Sequence, residues 1–332
     1  LRHLSEKLKI GYVTFDDLRM RKFAQDDPEL FLETYPAPLL IDEAQYVPDL
    51  FSYIKIRVDN DEKNGRYWLT GSQQFAVLKN VKESLAGRVG ILNLLGFSMA
   101  EELGLNCNKE PFYFQKLEKG AVRAECSAME IFRSIHRGFS PALILNGKQN
   151  LDVFYNSYIQ TYLDRDLRDF FGVKKVSEFQ VFLQLCAART GQLLNISELA
   201  RDAGVSVPAA KEWLRILQGT LHVYLLNPYY KNISKRLIKA PKLYFLDTGL
   251  AAFLTKWQSP ETLFNGAMAG SFFETFVVSE VIKSYFFRGK QPPLYYYRDK
   301  EGREIDLLIE KEGVLTPVEI KKAINITDDD VK

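Results

Sequence analysis

The run "PLLIDE" (Pro38 to Glu43) constrains the fold more than any other stretch. Leu39, Leu40 and Ile41 follow a proline and end on two adjacent acids. Successive residues of a strand face opposite sides, so an unbroken apolar run means that both faces are covered. Helices must then lie on either side of the sheet. The surrounding sequence supplies them. "IGYVTFDD" and "GRYWLTGSQQ" read as flanking strands, each ending in small or acidic polar residues. "DPELFLETYP" and "VPDLFSYIKIRVDN" read as helices between them, the first with Asp27 as N-cap and Pro28 at its first position. This alternation predicts a parallel sheet with flanking helices.

Ligands of open α/β sheets bind at the carboxyl ends of the strands, where Asp42 and Glu43 emerge. In nucleotide-hydrolysing folds an acid there holds Mg²⁺ and a second acid orients the attacking water. Asp42 is the expected Mg²⁺ ligand and Glu43 the expected base. Ser72 or Gln73, in "LTGSQQ", would sense the terminal phosphate, and Arg88 in "LAGRV" would reach phosphate or a neighbouring subunit's site. A phosphate cradle needs GxxxxGK[ST], whose amides wrap the β-phosphate. The sequence contains none: "LNGKQN" has Gly147-Lys148 but no Ser or Thr after it. The chain opens at Leu1 in a helical pattern and reads as a piece of a longer protein, with the phosphate loop expected upstream. By itself it is expected to bind ATP weakly or not at all.

Composition excludes some classes. With 46% hydrophobic and 26% charged residues, the 332-residue chain has the make-up of a globular protein of two or three domains. Its formal net charge of +2 means that any basic surface must be local. The cysteines Cys107, Cys126 and Cys186 form no CxxC pair and read as reduced thiols in a cytoplasmic protein. No run is apolar and long enough to span a membrane.

Farther along, "LNISELARDAGVSVPAAKEWLRILQGT" reads as helix, Ala-Gly-Val turn, helix. Ser197 or Ser206 can cap, and Trp213, Leu214 and Leu217 anchor the second helix. Lys211 and Arg215 are four apart and share a face. Two strands, "VYLLNPYY" and "PKLYFLD", enclose the basic loop "KNISKRLIKAPK" with Lys235, Arg236 and Lys239. This is a winged-helix layout, suited to phosphate-backbone contact with DNA. The last third holds a long helix, "SFFETFVVSEVIKSYFF", and three strands, "LYYYRD", "EIDLLIE" and "TPVEIKK". Asp306 lies on the second of these strands, and Glu319-Ile320-Lys321 on the third, thirteen positions later. Asp306, Glu319 and Glu274 would then ligate a divalent metal and Lys321 would activate water. The spacing resembles the PD-(D/E)xK restriction-endonuclease-like fold.

"PLLIDEAQYVPDLFSYIK", "YWLTGSQQFAVLKNVKESLAGRV" and "GFSMAEE", followed by "YIQTYLDRDL", "YFLDTGLAAFL", "FFETFVVSEV" and "EIDLLIE", together resemble prokaryotic AAA+-type ATPases whose C-terminal half is a domain of unknown function. The resemblance implies Walker B roles for Asp42 and Glu43, a sensor at Ser72-Gln73, and ATP and Mg²⁺ as ligands. The missing phosphate loop is the departure from that pattern. The expected architecture is multidomain α/β. Residues 1–105 form a truncated P-loop (RecA/AAA+-like) core, 106–172 a helical lid or linker, 173–255 a winged helix and 256–332 an endonuclease-like α/β domain. Two functions stay open: an ATP-hydrolysing protein coupled to a DNA-related module, or a non-catalytic nucleic-acid- or protein-binding regulator with vestigial sites. DNA, another protein or further copies of the chain are the expected partners, and a membrane is not.

Overall fold

The computed structural model describes residues 2–61, 63–71, 84–105, 111–112, 126–147, 149–163, 175–232, 239–299 and 301–322. The chain divides into two compact units, residues 1–91 and 92–332.

In the first unit, β1 (Gly11–Thr14), β2 (Leu39–Asp42) and β3 (Tyr67–Leu69) form a parallel sheet in the order β1-β2-β3. Leu39, Leu40 and Ile41 are fully buried, as an apolar central strand requires. The register sets Thr14 beside Asp42 and Ile41 beside Leu69, so the polar residues gather at one edge. Helices α1 (Arg2–Leu8), α2 (Leu18–Asp26), α3 (Pro28–Thr34) and α4 (Leu50–Asp59) complete the unit. Asp27 caps α3 as expected, its carboxylate accepting from the Leu30 amide at 2.9 Å with Pro28 behind it. Phe31 joins Phe15, Phe23 and Tyr35 at ring-centroid separations of 5.7, 5.6 and 5.1 Å, and Leu50, Phe51 and Ile54 of α4 close the same core.

In the second unit the described helices are α5 (Met99–Glu102), α6 (Ala128–Arg137), α7 (Pro141–Asn146), α8 (Leu151–Tyr158), α9 (Val176–Ala188), α10 (Ile196–Asp202), α11 (Val207–Gly219), α12 (Thr248–Leu254), α13 (Pro260–Asn265) and α14 (Ala269–Phe286). A π-helical turn, Ile159–Leu163, continues α8, and the Asp/Arg-rich stretch beyond it lies outside the described residues. Strands β4 (Gln192–Leu193), β5 (Val223–Leu226) and β6 (Lys242–Phe245) form an antiparallel sheet in the order β4-β6-β5. Strands β7 (Leu294–Arg298), β8 (Glu304–Lys311) and β9 (Val314–Val318) form an antiparallel meander.

One buried cluster runs from Phe132 and Ile135 through Phe179, Trp213 and Phe245 to Phe272 and Phe276. Segments that read as separate in sequence therefore share a core. Helix α14 is its spine and is buried nearly all round, so its polar residues need partners. Thr275 donates to the Ser271 carbonyl at 2.7 Å and accepts from Thr190, which in turn accepts from the Phe245 amide at 3.0 Å. A second cluster seals Val278, Ile282 and Phe286 of α14 against Leu294, Tyr296, Leu307 and Ile309 of the meander. A parallel bridge, Pro228 to Tyr296, and a 2.5 Å bond from the Tyr296 hydroxyl to the Ala240 carbonyl stitch the two sheets together.

Ser206 caps α11, but α10 is capped by Asn195 rather than Ser197. Helix α9 ends at Ala188, and Gly191 beyond it donates its amide to the Leu243 carbonyl across the sheet. No described helix is long and apolar enough to cross a membrane.

Candidate functional site

The acidic edge of the first sheet is built by strand periodicity. Tyr12 and Thr14 share one face of β1, and Leu40 and Asp42 one face of β2. The Tyr12 hydroxyl thereby reaches Oδ2 of Asp42 at 2.9 Å, while the Thr70 hydroxyl donates to Oδ1 at 2.5 Å. Burial, and then the hydrogen bond to Asp42, raise the Tyr12 hydroxyl above the ordinary tyrosine value. Both described partners of Asp42 are hydroxyls. Each oxygen keeps a second lone pair, as a cation ligand requires.

Glu43 leaves the strand with φ 57° and ψ 40°, a left-handed conformation that costs a non-glycine residue about 1 kcal/mol. The short turn Ala44–Tyr46 follows, locked by the Ala44 amide on the Thr70 carbonyl at 2.9 Å. Gln45 is buried there, its Nε2 donates to Glu43 Oε2 at 2.5 Å, and its Oε1 meets no partner among the described residues. Strain and an orphaned polar atom beside one carboxylate are features that gather at functional sites. Ser72 and Gln73 lie outside the described residues. Arg88 forks onto Asp59 of α4, through Nε to Oδ1 and Nη2 to Oδ2, and this pairing holds the Asp59 carboxyl below its usual range.

The second acidic constellation differs from the metal site expected from its spacing. The structure gathers Asp306 and Glu274, adds Glu304, and sets the Lys242 ammonium among them. Lys242 Nζ lies 3.0 Å from Glu274 and 3.6 Å from Asp306 and pairs with Glu304. Glu319 is not among the carboxylates that meet Lys242; it pairs with Lys321 at 2.7 Å. Among the described residues no group of three or more His, Cys, Asp or Glu side chains is arranged to hold a metal ion. Lys242, the last residue of the basic loop "KNISKRLIKAPK", was expected at a phosphate backbone, and Glu304 carried no expectation. A signal existed, because Lys242 opens the strand "KLYF", buried at every position.

On α11, Lys211 and Arg215 are exposed on one face, and Lys239 is exposed after the basic loop. Lys235 and Arg236 lie outside the described residues. The free thiols are Cys126 and the buried Cys186, with Cys107 also outside the described residues.

A parallel sheet with paired acids at the carboxyl end of its central strand is consistent with an AAA-like domain, and residues 1–103 match the family model described as "AAA domain". Residues 129–261 and 269–332 match two domains of unknown function, DUF8612 and DUF4143. The chain is 29% identical over 297 residues to uncharacterized proteins of Mycobacterium tuberculosis (strain H37Rv) and Mycobacterium bovis. That similarity covers 89% of this chain and 61% of each relative, so the chain spans about 61% of the length of the curated relatives it matches. No solved structure matches.

Proposed function

We propose that the protein binds and hydrolyses ATP through an AAA-type first unit and couples this to a DNA-contacting second unit. The observation that carries the reading is the Asp42 carboxylate, held at the carboxyl end of a parallel sheet by hydroxyl donors from β1 and from the residue that follows β3. Mg²⁺, when bound with the nucleotide, supplies the positive charge that the phosphates need. Asp42 would hold it, through water. Glu43 would take a proton from the attacking water, and Gln45 Nε2 fixes the carboxylate that does so. The test is Mg-ATP hydrolysis by a form of the protein that also carries a phosphate-binding loop. Glu43→Gln is expected to lower the turnover by roughly a hundredfold or more, with nucleotide still bound. Undiminished turnover in that variant would remove Glu43 from the chemistry. The present chain, lacking GxxxxGK[ST], is expected to give little or no heat with Mg-ATP in calorimetry.

The DNA reading is supported by the element order α9-β4-α10-α11-β5-β6 with the sheet order β4-β6-β5, which is that of a winged helix, and by Lys211 and Arg215 on the outward face of α11. Each phosphate contact releases counterions, so binding should weaken with salt at a log–log slope of about 0.9 per contact. Replacing Lys211 and Arg215 together by Ala is expected to reduce that slope by about 2. A slope unchanged by the double replacement would show that α11 does not face DNA.

A further inference from the structure

Lys242 is 3% exposed as a residue, yet it opens the central strand of a sheet. A buried ammonium is costly unless its donors are met. Here Glu274 from α14 and Glu304 from β8 meet them directly, and Asp306 of β8 adds its charge from 3.6 Å. Glu304 and Asp306 are two apart on one strand and so share its face. The cluster is pinned from outside as well. The Tyr244 hydroxyl donates to Glu274 Oε1 at 2.6 Å, the Ile320 amide donates to Asp306 Oδ2 at 2.9 Å, and Arg298 lies 3.6 Å from Glu304. Burial works against the charged lysine, but Glu274 and Glu304 beside it outweigh burial and hold the ammonium above the ordinary lysine value. Burial raises the Glu274 carboxyl, with Lys242 and Tyr244 opposing.

An endonuclease-like site would have a divalent ion among these acids. The donor set does not fit one while Lys242 is present. The oxygens of Glu274 and Asp306 already turn to a common nitrogen at 3.0 and 3.6 Å, and Glu319, the third acid of the expected motif, is held by Lys321. A dication added to this space would meet the ammonium at contact distance, and like charges that close in a buried site repel strongly.

We propose that this carboxylate cluster carries its own cation, the Lys242 side chain, in the place where a nuclease-like site would hold a metal, and that removing the side chain turns the cluster into a divalent-cation site. The inference concerns the second unit and does not depend on nucleotide hydrolysis by the first. It makes the Asp306 cluster a metal-independent joint between β6, β8 and α14. With Lys242 gone, three carboxylates and a tyrosine hydroxyl would face one space with Arg298, at the rim beside Glu304, as the nearby counter-charge. Oxygen donors of this kind suit Mn²⁺ or Mg²⁺.

The experiment is Mn²⁺ binding followed by electron paramagnetic resonance, with thermal unfolding measured alongside. The proteins are the wild type, Asp306→Asn, Lys242→Ala, and the variant carrying both changes. Asp306→Asn is expected to leave the Mn²⁺ uptake of the wild type unchanged, and this comparison cancels any ion held at Asp42. Lys242→Ala is expected to unfold at lower temperature, to take up one additional Mn²⁺ per chain, and to regain thermal stability as it does so. Adding Asp306→Asn should abolish the additional uptake. Folding of Lys242→Ala only in the presence of Mn²⁺ would count for the proposal. Wild-type Mn²⁺ binding that disappears with Asp306→Asn would overturn it. So would a Lys242→Ala protein that takes no additional ion, or one that stays unfolded with Mn²⁺ supplied.

Discussion

Gly249→Ala is expected to destabilise the protein by about 3 kcal/mol or more, at the upper end of what forced overpacking costs. Gly249 stands in the first turn of α12, where it crosses the end of α6. A Cβ built there would lie 2.2 Å from the Tyr155 hydroxyl, 2.5 Å from the Gly138 nitrogen and 2.6 Å from the Arg137 carbonyl oxygen. Two of these three atoms are backbone and cannot swing aside. The third is held, since Tyr155 is buried and its hydroxyl donates to the Arg137 carbonyl at 2.8 Å. The α12 end is fixed too: the buried Asp247 carboxylate accepts from the Gly249 and Leu250 amides at 3.0 and 3.1 Å. Relief therefore requires the two helices to part and their shared core to open. Gly270→Ala, exposed near the start of α14 with nothing within 4 Å of the new carbon, should instead stabilise by up to about 1 kcal/mol. Urea unfolding of both variants checks the pair. A Gly249→Ala midpoint equal to the wild type's would show that the two helices can separate at no cost.

His222 is expected to make stability fall as pH drops from about 6.5 towards about 4. Burial depresses its folded value from 6.5 to about 4, so the neutral ring is the folded form. The proton is taken up preferentially by the unfolded chain, and the contribution is complete above pH 6.5 and lost on acidification through that window. Its full size is about 3 kcal/mol, at 1.36 kcal/mol per unit. The hydrogen bonds identify the tautomer. The single Thr220 hydroxyl proton goes to the Ile216 carbonyl at 2.9 Å, so Thr220 accepts from Nδ1 at 2.7 Å. Nε2 then accepts from the Tyr158 hydroxyl at 3.0 Å. The measurement is unfolding free energy against pH for wild type and His222→Gln. The Asp247 carboxyl is also raised by burial, but it is common to both proteins. Parallel curves would dismiss His222 as the acid-sensitive group.

Much of the first unit was legible because its signals are local. Three apolar strands and capped helices follow from residue type and spacing, and Asp42 at the end of β2 follows from the strand's length. The two helices around Gly204, with Trp213 stacked edge-on against Phe179 and Phe182 at 5.2 and 5.6 Å, were legible for the same reason. The partners of those acids were not. Tyr12 and Thr70 lie 30 and 28 positions from Asp42. Only the register of parallel strands brings their hydroxyls to it.

The Asp306 cluster marks the boundary most clearly. Spacing correctly put Asp306 and Glu274 on a strand and a helix that meet, because period-2 and helical patterns report which elements form and which faces they bury. Spacing said nothing of Lys242, which enters from another sheet 32 positions before Glu274. Chain order alone thus determined the elements, the apolar faces and the acids at their ends. The tertiary structure decided which charge each acid meets, because a buried carboxylate's partner is whatever the packed elements deliver to within about 3–4 Å, and that distance is not encoded in any single stretch of sequence.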